Sequence, residues 1–124
     1  MILVDTSVWI DHFRRGNQFL VALLDTRDVL VHPFVVGELA LGYLRSRDTI
    51  VSQLQLLPQA NIATPDEVLK LVERRRLFGR GIGYVDVHLL AAVLLTAGTT
   101  LWTNDDNLQR AARDLGVFHV PRTG

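Results

Sequence analysis

The 124-residue sequence predicts an α/β fold, a parallel sheet of four to five strands covered by helices on both faces. Three observations carry that expectation. Short apolar, β-branched runs alternate along the chain with longer segments of helical spacing. The first run is apolar throughout, as in strands buried on both faces. Glycine, proline and asparagine fall between segments, where the chain must turn.

Residues 2–5 read as the first strand. Residues 7–14 have helical spacing, with Trp9 and Phe13 four apart on one side. Gly16 and Asn17 interrupt it, and residues 18–24 resume as a second helix. Residues 29–32 ("VLVH") are a strand stopped by Pro33, which suits the first turn of a helix over 33–45. A helix over 49–57 and a short strand at 61–63 follow. "TPDEVLKLVERRRLF" (64–78) opens with a cap, a proline and two acids, a strong helix start. The loop "GRGIG" leads into a helix over 84–97 closed by Gly98. A strand at 100–103, a helix at 105–115 and a last strand at 117–120 complete the chain, with no internal repeat.

The length suits one domain, residues 1–124, and is short for two. Apolar residues make up 48% and charged residues 21%, a globular composition. No apolar run approaches the roughly 18 residues of a membrane span, and no secretory leader opens the chain, so a cytoplasmic location is expected. The absence of cysteine excludes disulfides, thiolate nucleophiles and cysteine metal sites. Thirteen basic and thirteen acidic residues balance, so nucleic acid is not held by bulk charge.

Four acids fall at telling places. In open α/β sheets ligands bind beyond the carboxyl ends of the strands. Asp5 follows the first strand and Asp105 the strand at 100–103. Glu38 has Phe34, Val35, Leu41 and Gly42 one turn away, and Asp86 has Ile82, Gly83, Leu89 and Leu90, so both are expected on buried faces. A lone buried carboxylate costs several kcal/mol unless paired or coordinated. Each acid also has a structural explanation. Asp5, Thr6 or Ser7 caps the first helix, Asp105 caps the last, Asp86 meets a helix dipole, and Glu38 pairs with a distant arginine. These are four separate accounts, whereas a metal site accounts for all four acids at once. Two carboxylates about 4 Å apart repel by about 4 kcal/mol at an effective dielectric of about 20, so a cluster needs a cation. Oxygen ligands alone favour Mg²⁺ or Mn²⁺.

The stretches "VDTSVWI", "GEL", "YVDVHLLAA" and "LWTNDDNL", in this order and spacing, resemble the PIN-domain ribonucleases, and the compact length resembles the VapC toxins of toxin–antitoxin pairs. The resemblance implies a three-layer α/β/α sandwich and phosphodiester hydrolysis of RNA with one or two Mg²⁺ or Mn²⁺ ions. It carries the family's acids onto Asp5, Glu38, Asp86 and Asp105. Asp5 and Asp86 are then metal ligands, Glu38 a ligand or water-orienting group, and Asp105 a ligand, directly or through water. Thr6 or Ser7 and Asn104 help hold the acids or water, and Asp106 is a lower-ranked extra acid. A cognate antitoxin, docking in a groove near Trp9 and Phe13, and a homodimer are implied as well. The alternative is a non-catalytic module of the same fold that binds RNA or protein without metal.

Other signals are weaker. "ERRRLFGR" (73–80) is the densest basic stretch, but a helix sends Arg74, Arg75 and Arg76 to different sides. "GRGIG" follows a helix rather than a strand and is no dinucleotide fingerprint. His12, His32, His88 and His119 are scattered, and there is no G-x-S-x-G nucleophile elbow. A haloacid dehalogenase motif needs an acid where Ser7 stands.

Overall fold

The computed structural model describes residues 1–121. At its centre is β1 (Ile2–Val4), where Leu3 and Val4 are fully buried. β2 (Val29–Leu30) and β3 (Thr100–Trp102) pair with either side of β1, all parallel, in the order β2-β1-β3. Leu3 lies beside Leu30 and Leu101, and Val4 beside Trp102, so apolar side chains line up across the sheet.

The sheet has three strands among the described residues, not four to five. The two further segments each dock at one residue, Val31 to Gln59 and Leu101 to Phe118, both parallel. Prolines limit them: Pro58 and Pro121 have no N–H to continue a ladder, and Pro33 opens a helix just beyond Val31. The short strand expected at 61–63 is replaced by the Gln59 contact, where the Ala60 N–H donates to the Val31 carbonyl at 2.7 Å.

Local chemistry sets the helices. α1 (Thr6–Arg15) ends at Gly16, whose φ of 74° suits glycine. α2 (Gln18–Asp25) starts where Asn17 Oδ1 accepts from the Phe19 and Leu20 N–H groups, both at 3.1 Å. α3 (Pro33–Ala40) is capped by His32 Nδ1, which accepts from the Phe34 N–H at 3.0 Å. It stops short of the expected residue 45 because Arg47 Nε takes the Ala40 carbonyl at 2.7 Å, closing the helix end. α4 (Arg47–Leu56) follows at once. α5 (Pro65–Arg75) has a full capping box between Thr64 and Glu67, and Arg76 leaves it in the left-handed region. In α6 (Tyr84–Leu94) every residue from Val87 to Val93 is buried. α7 (Asp106–Asp114) is amphipathic, burying Leu108, Ala111 and Ala112.

α6 packs on β3 and α5 on α6, while α3 contacts α1 and α4, giving helical layers on a parallel sheet, an α/β sandwich. Trp9 is buried and stacks on half-buried Phe13, ring centroids 5.8 Å apart, so this pair packs against the core. Buried His32 and His88 pack with Phe34 and Tyr84 in T-shaped contacts. Among the described residues no helix is long and apolar enough to cross a membrane. The chain leaves β1 toward β2 and returns on the other side as β3, so β1 is the switch point of the sheet.

Candidate active site

The carboxyl ends of β1 and β3 lie side by side, because the Asp5 N–H donates to the Trp102 carbonyl at 2.9 Å. Asp5, immediately after β1, and Asp105, shortly after β3, therefore share one edge of the sheet. Glu38 of α3 and Asp86 of α6 join them, since the charges of Asp5, Asp105 and Glu38 all act on the Asp86 carboxyl. The structure brings together the four acids singled out from the sequence.

Each carboxylate is held by one oxygen. Asp5 Oδ2 accepts from Ser7 Oγ and from Thr103 Oγ1, both at 2.7 Å. Glu38 Oε1 accepts from Thr6 Oγ1 at 2.7 Å. Asp86 Oδ2 accepts from the Gly83 N–H at 2.9 Å, and Asp105 Oδ1 from the Leu108 N–H at 2.8 Å. The second oxygen of each has no protein donor among the described residues, and none of the four enters an ion pair there.

Burial pushes the half-buried Asp86 carboxyl above its usual range. The Gly83 N–H pulls it back, and the negative charges of Asp5, Asp105 and Glu38 push it up further. Burial, with the facing His88, holds the His32 imidazole down at about 4, and burial lowers His88 too. His32 Nδ1 accepts a hydrogen bond, so its proton sits on Nε2.

Several sequence expectations need correction. Asp5 occupies the N-cap position of α1 but makes no capping bond; its buried side chain faces Ser7 and Thr103 instead. Glu38 is exposed rather than buried. α3 is apolar nearly all round, so apolar neighbours do not mark its inner face; Leu41, one turn on, is itself 89% exposed. Glu38 has no arginine partner among the described residues. Asp105 does cap α7, and Asp86 does sit in the first turn of α6, so both structural explanations hold alongside their place in the cluster. Ser7 and Thr6 each hold an acid, whereas Asn104 enters through its backbone N–H, which donates to Ser7 Oγ at 3.0 Å. Asp106 is exposed at the start of α7 and bonds none of these residues.

Sequence reasoning missed Thr103. It is fully buried, donates to Asp5 Oδ2, and accepts from the Asp105 N–H at 3.0 Å, tying two of the acids together. The available signal was a hydroxyl at the carboxyl end of a strand, just before an acid-rich turn.

The donor set consists of hard carboxylate oxygens, which suits a hard divalent cation. Among the described residues, no three His, Asp or Glu side chains gather closely enough to grip one ion. Arg74, Arg75 and Arg76 lie exposed at the end of α5 without ion pairs among the described residues, while Arg80 bonds Asp114 at 2.6 Å.

Residues 2–114 match the family model described as PIN domain. Over 117 residues the chain is 50% identical to Ribonuclease VapC32 from two strains of Mycobacterium tuberculosis, covering 94% of each protein. Its fold is similar to that of FitAcB from Neisseria gonorrhoeae, with a TM-score of 0.61 and 22% identity over 91% of this chain and 94% of that one. FitAB bound to an IR36 DNA fragment aligns at a TM-score of 0.59 with 20% identity over 91% of both chains. At that identity the two structures speak for the fold alone. The strand-end acids, the parallel sheet and the full-length match to VapC32 agree, and this chain belongs to the PIN-domain family as a VapC-type member.

Proposed function

We propose that this protein is a metal-dependent endoribonuclease, the toxin of a toxin–antitoxin pair, acting in the cytoplasm as a single-domain chain that assembles as a homodimer. One observation carries the chemistry. Four carboxylates lie toward one edge of the sheet, near enough that three of them, after burial, add to the raised pKa of the fourth, and each has one oxygen anchored and one without a donor among the described residues. Clustered charge of this kind serves to hold a cation. The 50% identity with Ribonuclease VapC32 over 94% of the chain supports RNA as the substrate and an antitoxin as the partner.

Asp5, Asp86, Glu38 and Asp105 would hold one or two Mg²⁺ or Mn²⁺ ions, Asp5 and Asp86 directly, and Asp105 directly or through water. A divalent ion supplies Lewis acidity toward the scissile phosphate and acidifies water. The chain's own residues set the geometry. Ser7 and Thr103 fix the Asp5 carboxylate through Oδ2, and Oδ1 has no donor among the described residues. Thr6 fixes Glu38, the most solvent-exposed of the ligand candidates on a helix, where it also suits orienting an attacking water.

The test is an RNA cleavage time course with partner-free protein in Mg²⁺ or Mn²⁺ and in EDTA, with Asp5→Asn in parallel. Cleavage that requires the metal and is lost in the variant is the expected result. RNA binding that is indifferent to metal, with no cleavage, would instead identify a non-catalytic module of this fold.

A further inference from the structure

The acid cluster raises a problem for its own substrate. A polyanion must approach four carboxylates on a chain of formal net charge zero, so no bulk positive field brings it in. Local cations have to do so.

A hollow of about 360 Å³ adjoins the cluster and is lined by Glu38 at one side. Its volume falls at the lower end of the roughly 300–1,000 Å³ typical of small-ligand clefts. Arg14 of α1 and Arg45 of the turn after α3 line it, with Phe13 and Tyr43 beside them. Both guanidinium groups are exposed and bond to nothing among the described residues. Neighbouring arginines are already engaged, Arg15 by Asp11 and Arg47 by Asp48 and the Ala40 carbonyl. Arg14 also lines a second hollow, of about 380 Å³, which reaches Ser7 and Asn104. One unpaired cation thus borders two hollows, each meeting the acid site at a different residue. Tyr43 is fully exposed and contacts no other ring, an aromatic face open to stacking.

We propose that the hollow between α1, α3 and the turn at 41–46 is a nucleotide subsite for single-stranded RNA, with Arg14 and Arg45 on the phosphates beside the scissile bond and Tyr43 stacked on a base. Guanidinium groups bind phosphate through paired N–H donors, and an exposed aromatic ring accepts any base. The subsite rests on the ribonuclease reading and supplies the positive charge that the acid cluster lacks.

The test separates binding from chemistry. Binding of a short fluorescein-labelled single-stranded RNA is measured in the inactive Asp5→Asn background, with Arg14→Ala, Arg45→Ala, Tyr43→Ala and, as a control, Lys70→Ala on α5. The expected result is a Kd weakened about tenfold by each of the first three and unchanged by the control. Each arginine variant also lowers the steepness of the log Kd against log salt plot by about 0.7, the share of one phosphate contact on a single strand. Tyr43→Ala leaves that slope alone. In the active background the three substitutions raise KM for RNA while kcat changes less than about threefold, and circular dichroism melts verify the fold. Unchanged Kd, slope and KM in variants of a wild type that cleaves RNA would overturn the subsite, hand the hollow to a protein segment, and leave the ribonuclease reading intact. A wild type that neither binds nor cleaves RNA would overturn both.

Discussion

Thr103→Val removes one hydroxyl and almost nothing else, and the structure says what it should cost. The Thr103 Oγ1 donates to Asp5 Oδ2 at 2.7 Å and accepts from the Asp105 N–H at 3.0 Å, in a site with no solvent exposure. A hydrogen bond to a charged group contributes about 1.5–3 kcal/mol net, and a neutral one about 1 kcal/mol. Valine keeps the shape and spares the burial of a hydroxyl, which offsets part of the loss, so the expected destabilisation is about 2–3 kcal/mol. At roughly 2 cal/mol/K of unfolding entropy per residue, a chain of 124 residues should then melt about 10 °C lower. Among the described residues Asp5 would keep only Ser7 as a side-chain donor, and its carboxylate would be free to turn. A ligand displaced by an ångström costs around 10²-fold in rate, so kcat for RNA cleavage should fall roughly 10- to 100-fold. Thr103→Ser should restore both properties. On the Asp5→Asn background the same valine should cost less, because the bond it breaks no longer ends on a charge. Thermal melts in EDTA and single-turnover cleavage in Mg²⁺ measure these effects. A valine variant melting within about 2 °C of wild type and cleaving at full rate would refute the positioning role of Thr103.

Two further substitutions read the charge balance of the fold. Asp86→Asn keeps an oxygen for the Gly83 N–H but removes the charge that burial and three neighbouring acids disfavour. The metal-free variant should therefore melt at or above wild type near pH 7. That gain should shrink as pH falls through the raised folded value and vanish below 3.8, where the wild-type carboxyl is protonated in both states. In Mg²⁺ the order should reverse, since only wild type gains stability from the ion; a large loss of melting temperature in EDTA would point to a structural role instead. His32 gives the opposite sign on acidification. The unfolded ring binds its proton near 6.5 and the folded one only at about 4, so stability is flat above 6.5 and falls between 6.5 and 4. At about 1.4 kcal/mol per pH unit this reaches up to about 3 kcal/mol, with His88 adding in the same direction. His32→Asn preserves a cap for α3 and should flatten much of that acid limb in urea titrations; parallel curves for the two proteins would refute the assignment.

The alternation of strands and helices was readable because β1 is an uninterrupted apolar run and β3 a short β-branched and aromatic one, and the strand-end rule then placed Asp5 and Asp105 correctly relative to each other. Asp86 stood out because its helix is apolar on every side, and the structure half-buries it. The same argument failed for Glu38. On a short helix that is apolar all round, neighbours three and four residues away do not identify the inner face. Thr103 was invisible for a different reason: its partner Asp5 is 98 residues away, and no local pattern records a contact of that range. The strand count was overestimated at Gln59 and Phe118 because an apolar or β-branched segment shows where pairing is favourable, while Pro58 and Pro121 decide how far it runs. The length of α3 was likewise set from outside it, by Arg47 on the Ala40 carbonyl.

The places where the acids sit explain how a fold with no counter-ion to them among the described side chains tolerates them. Asp5 stands at the N-cap position of α1, Asp86 in the first turn of α6, and Asp105 at the N-cap of α7. Three helix N-termini therefore converge on one edge of the sheet, each favouring a nearby negative charge by about 0.3–1 kcal/mol. Together they offset only part of the cost of the cluster: burial first, and then the charges of Asp5, Asp105 and Glu38, still leave the half-buried Asp86 with a raised pKa. Glu38 is the exception that fits the same physics. It lies in the C-terminal half of α3, where the dipole opposes it, and it is exposed, held by a threonine hydroxyl instead of a helix N-terminus. Helix dipoles thus let the cluster fold while leaving its negative potential largely unneutralised, and on the proposed reading that residual potential is what would draw a divalent cation to the site.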